Sequence, residues 1–150
     1  MADARTADDE LAPGVWALDH TADLGVVVEA PTPEELFHRA GIGLMALLHE
    51  PLPALGPEEA AEHRSVALEA PDRAALLAEW LRTLLWAHDV QNRDYLGVRW
   101  RRFEATGLEA EVYLRPCTTP PLREIKAITY HELAVQPDRG GWRATVVVDV

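Results

Sequence analysis

The sequence predicts an α+β fold: a mostly antiparallel sheet with two helices packed on one side. Three observations carry that reading. Two stretches repeat apolar residues at helical spacing behind N-cap signals. The other apolar runs are short and either β-branched or alternating, as strands are. The late runs are separated by links of hairpin length, which join antiparallel neighbours and cannot carry a parallel crossover.

Residues 1–13 read as a flexible acidic leader closed by Ala12-Pro13-Gly14, and residues 14–150 as a single domain. Val15 to Leu18 is a short strand. Leu24 to Ala30, dense in valine, is a mostly buried one. Thr32-Pro33-Glu34-Glu35 announces the first helix, with Thr32 as N-cap, Pro33 at the first position and Glu35 completing a capping box. Leu36, Ala40, Leu44, Leu47 and Leu48 form its inward face, and Gly41 and Gly43 imply close backbone approach to the sheet. Glu62 to Glu69 alternates as a strand. Pro71-Asp72 opens a second helix with the stripe Leu77, Trp80, Leu81, Leu84 and Leu85, ending near His88. Leu96–Ala105 and Leu108–Leu114 form a hairpin about Thr106-Gly107. Glu124–Val135 reads as one strand. After a turn at Pro137–Gly141, Trp142–Val150 is the last, with Trp142, Ala144, Val146, Val148 and Val150 on one face and Arg143, Thr145, Val147 and Asp149 on the other.

Composition narrows the function. The chain carries 25 acidic against 14 basic residues, a formal net charge of −11. It would repel a phosphate backbone, so RNA would be met only indirectly, through a basic partner. Arg99-Trp100-Arg101-Arg102 is the one basic cluster and reads as a solvated strand face rather than an RNA patch. A single cysteine, Cys117, excludes an intrachain disulfide and a multi-cysteine zinc cluster. It lies between prolines with no adjacent histidine to activate it. No run is long and apolar enough for a membrane helix, and the first residues lack the pattern of a secretory signal. The expected location is cytoplasmic, with no membrane partner. There is no P-loop, no G-x-S-x-G elbow and no H-E-x-x-H. A binding or accessory role is favoured over a catalytic one.

The candidate site comprises two clusters of hard oxygen donors at strand ends. Asp23 precedes the valine-rich strand. Asp149 and Val150 close the last one, where the Val150 carboxylate would sit beside the Asp149 side chain. Three converging carboxylates suit a divalent cation with oxygen ligands, Ca²⁺ first, with Mg²⁺ or Mn²⁺ as alternatives. His20 would orient a ligating carboxylate. Lys126, the only lysine, is a mobile point charge able to meet a phosphate or carboxylate, and His131 follows it on the same stretch. The bland alternatives are turn residues, a solvated strand end and a satisfied sheet histidine.

At these residues the chain resembles the archease family. His20-Thr21-Ala22-Asp23-Leu24-Gly25 is similar to that family's opening motif, and Pro33-Glu34-Glu35-Leu36-Phe37 to its first helix start. Glu124 to His131 resembles its [EI]-K-A-[VI]-T-Y-H strand, and the apolar strand closing on Asp149-Val150 resembles its V-V-x-D-[IV] terminus. The resemblance implies an SHS2-related fold and no enzymatic activity of the chain's own. It implies a metal-binding accessory protein that activates an RtcB-type RNA ligase, promoting guanylylation of the ligase histidine and multiple turnover in tRNA splicing or RNA repair. By the same resemblance the cation falls on Asp23, Asp149 and Val150 and the functional lysine on Lys126. The rival expectation is a free-standing metal-dependent phosphoesterase acting on RNA ends.

Overall fold

The computed structural model describes residues 10–18, 24–49 and 56–150. Asp23 and His20 lie outside the described residues. Among those described, nine strands and two α-helices follow in the order β1 (Glu10–Ala12), β2 (Val15–Ala17), β3 (Leu24–Ala30), α1 (Pro33–Leu48), β4 (Glu62–Glu69), α2 (Arg73–Gln91), β5 (Arg93–Glu104), β6 (Gly107–Pro116), β7 (Ala127–Ile128), β8 (Ala134–Asp138) and β9 (Gly141–Asp149). The fold is α+β, and the described strand pairs are all antiparallel. They divide between two sheets. One has the order β1-β2-β3-β9-β7, with β8 sharing the far edge of β9; the other has the order β4-β6-β5.

Both helices start as their caps dictate. Thr32 Oγ1 accepts the Glu35 N–H at 3.1 Å, and Asp72 Oδ1 accepts the Ala75 N–H at 2.8 Å. The capping box is only half made, because the Glu35 carboxylate turns along the helix to Arg39 Nε at 2.9 Å. One core takes in the inward faces of both helices and of both sheets. Its centre is aromatic: Phe37 meets Phe103 edge-on at 4.9 Å, and Trp80 lies 5.0 Å from Trp100. The buried Trp80 indole N–H finds the Phe37 carbonyl at 2.9 Å, tying α2 to α1 through a satisfied polar group. The α1 glycines serve close packing. A Cβ on Gly41 would fall 2.8 Å from the Tyr95 ring, and one on Gly43 would fall 2.9 Å from Val15.

Three details depart from the sequence reading. Glu10–Ala12, taken as the end of the leader, is a strand paired with β2. α2 runs on to Gln91 and ends on Asn92 in the left-handed conformation (φ 59°), whose N–H caps Ala87 and His88. The single strand expected over Glu124–Val135 is two, because the chain reverses at Glu132 (φ 54°) before β8. Thr129 supports that reversal by accepting the His131 N–H on its hydroxyl while donating to Val147 O. The basic cluster is a solvated strand face, as expected: Arg99 and Arg101 are exposed and Arg102 pairs with Glu69, Glu104 and Glu109, while Trp100 packs against the core.

Candidate functional site at one sheet edge

Antiparallel pairing decides what meets at the end of β9. β3 and β9 pair from Leu24↔Val148 to Ala30↔Trp142, so β3 begins where β9 finishes. On the other side of β9, Ala127 pairs with Asp149 and Ile128 with Val148. The Lys126 N–H donates to the Asp149 carbonyl at 2.7 Å, which brings Lys126 level with the last two residues. Strand alternation buries Val146 and Val148 in the core and sends Asp149 the other way. Asp149, Val150 and Lys126 are all exposed.

The structure therefore brings three of the six residues singled out from sequence to one edge. His131 lies beyond the short β7, exposed, with its Nε2 3.2 Å from the Glu132 carboxylate. Sequence reasoning overlooked the clamp that holds this segment in place. Arg82 of α2 lies over the Tyr130 ring at 4.9 Å, donates to the Tyr130 hydroxyl at 3.2 Å and reaches the Ile128 carbonyl at 3.4 Å. Glu79, one turn earlier, fixes the same guanidinium at 2.6 Å. An arginine on a helix surface gives no signal in sequence of the strand it will touch.

Chemically the edge offers carboxylate oxygens and a primary ammonium, all open to solvent. Oxygen donors of this kind fit a hard divalent cation. Among the described residues, no helix is long and apolar enough to cross a membrane.

These features define a class: a small α+β protein whose two helices share one core with two antiparallel sheets, with an exposed carboxylate-and-lysine edge. The sequence model of the archease protein family (MTH1598/TM1083) matches residues 16–150, and the chain belongs to that family. Protein archease of Methanosarcina mazei is 31% identical over 142 residues, spanning 89% of this chain and 93% of its own. The solution structure of Methanobacterium thermoautotrophicum protein 1598 superposes with a TM-score of 0.68 at 27% identity, over 93% of this chain and all of that one. The crystal structure of a Thermotoga maritima archease, described as a possible chaperone, shares the fold with a TM-score of 0.63 at 20% identity, over 89% of this chain and 94% of that one.

Proposed function

We propose that this chain is a metal-binding accessory protein that activates an RtcB-type RNA ligase, promoting guanylylation of the ligase histidine and multiple turnover in tRNA splicing or RNA repair. The supporting observation is the pairing of β9 with β3 on one side and β7 on the other, which gathers Asp149, Val150 and Lys126 on an exposed edge. Asp149 and Val150 would hold a hard cation from this side, and Asp23 would complete the set from the segment before Leu24. The ion would supply positive charge for docking or for the nucleotide-dependent step.

Lys126 is a second, protein-borne positive charge at the same sheet edge. Its role in this reading is to meet a carboxylate or phosphate at the mouth of the ligase site. The net charge of −11 disfavours direct RNA binding and speeds association with a basic partner. Activation requires that the chain bind the GTP-accepting state of the ligase more tightly than its resting state, since equal affinity shifts nothing.

A guanylylation assay with purified ligase and GTP, with and without this protein and across added metals, tests the reading. The protein should raise both the guanylylated fraction and the turnover number. Lys126→Ala and Asp149→Asn should each lose a charge-assisted contact worth about 1.5–3 kcal/mol, so that stimulation falls roughly tenfold or more. Asp23→Ala should behave alike, with far-UV circular dichroism unchanged in all three. Normal stimulation by these variants would refute the edge. Hydrolysis of cyclic-phosphate RNA by this protein alone would point to a phosphoesterase instead.

A further inference from the structure

A second group of donors gathers at the C-terminal ends of the two helices, apart from the sheet edge. His49 caps α1, His88 lies in the last turn of α2, Asp94 is the second residue of β5, and Cys117 directly follows β6. One donor atom from each lies within 4.8 Å of all the others. His49 Nε2 and His88 Nδ1 approach the same Asp94 oxygen, at 2.9 Å and 3.2 Å. Cys117 Sγ lies 3.8 Å from His49 Nε2. His49, His88 and Asp94 are 8%, 6% and 8% exposed, and Cys117 is half-buried.

We propose that His49, His88, Asp94 and Cys117 form a four-coordinate site for a zinc-class divalent ion. Donor chemistry, spacing and field all point the same way. One thiolate, two imidazoles and one carboxylate form a mixed set suited to Zn²⁺, in contrast to the all-oxygen edge. Zinc bond lengths of about 2.0–2.3 Å imply tetrahedral donor–donor edges of roughly 3.3 Å between nitrogen and oxygen, and roughly 3.6 Å where sulfur takes part. The three separations given above lie within about half an ångström of those edges and the remaining pairs within 4.8 Å, so side-chain shifts of about an ångström bring the four donors onto one ion. Two helix C-termini converge here, and each directs the negative end of its dipole at the cluster. Asp94 and a Cys117 thiolate bring two negative charges, which a divalent ion neutralises in a place where isolated charge is costly.

On binding, the Cys117 thiol, which otherwise donates to the Thr119 carbonyl at 3.0 Å, releases its proton to solvent and forms the metal–sulfur bond. With four protein ligands there is no open position for substrate, so the ion acts as a clamp. It ties α1, α2, β5 and the segment after β6 together at one end of the core. The donors sit at positions 49, 88, 94 and 117, which is why no local metal motif is visible in the sequence. This site stands independently of the ligase reading.

Cobalt(II) titration of the full-length, reduced protein tests the proposal, because thiolate ligation gives a sulfur-to-cobalt charge-transfer absorption. The expected result is a charge-transfer band that saturates at one equivalent together with tetrahedral visible bands, both bleached by added Zn²⁺. Cys117→Ser should remove the charge-transfer band, and His88→Ala should weaken binding by tenfold or more. Asp149→Asn, which alters the sheet edge, should leave both intact. Because Cys117 is the only cysteine, its labelling by a thiol reagent gives a second readout in the unmutated protein, and Zn²⁺ should slow it at least tenfold. Absence of a charge-transfer band, its persistence in Cys117→Ser, its loss in Asp149→Asn, or zinc-insensitive labelling would each overturn the site.

Discussion

His38 is a residue whose packing translates into a pH response. Its Nδ1 lies 2.7 Å from the Tyr95 hydroxyl at the α1–β5 contact. Burial holds the imidazole below its ordinary 6.5, with Arg39 adding to the effect and Glu35 opposing it. Burial, aided by the charge of Glu35, pushes the Tyr95 phenol well above its ordinary value, so the phenol donates and a neutral imidazole accepts. The unfolded chain thus takes up a proton here before the folded one does. This contribution to stability is complete above about pH 6.5 and is lost as the pH falls through the depressed folded value. Urea unfolding between about pH 7 and about pH 5 should show stability falling toward acid, with a shallower slope in His38→Gln. An unchanged slope would exclude His38 as the source. Residue-level legibility is uneven: Lys126 and Asp149 stood out by rarity and position, whereas His38 and Tyr95, 57 positions apart, have no local pattern to join them.

At the scale of elements, each helix start rests on one side chain. Thr32→Ala and Asp72→Ala should each cost about 1 kcal/mol in urea-unfolding stability, and the two should add, because they cap different helices. A cost near zero for either would mean that solvent replaces the cap. Helices, caps and most strands were legible because local chemistry sets them: Thr32-Pro33, Asp72, and the valines of β3 and β9. The break between β7 and β8 was not. Its reversal uses Glu132 rather than glycine, proline or asparagine, and depends on the Thr129 hydroxyl bonding to a strand 18 residues away. The division into two sheets was equally hidden, because short links fix which strands are neighbours but not where a sheet stops. The buried cluster of His49, His88, Asp94 and Cys117 escaped for a related reason. Each residue looks ordinary in its own element, and only the packing of helix ends against β5 and β6 brings them together.

For the whole molecule, the main core spans both helices and both sheets, so the parts are expected to unfold together. Fluorescence of Trp80 and Trp100, near the core's centre, and far-UV circular dichroism should give coincident transitions in urea; separated midpoints would show that the sheets melt independently. β9 is the common partner of β3, β7 and β8, yet it is the last strand in chain order. A ribosome therefore makes every other strand of this sheet before the one that joins them. Until β9 emerges, β3 has β2 and α1 beside it but one edge unpaired, and the nascent polypeptide must remain soluble with that edge open. The acidic charge excess suits that waiting period. Loss of residues 141–149 would remove the keystone of the larger sheet.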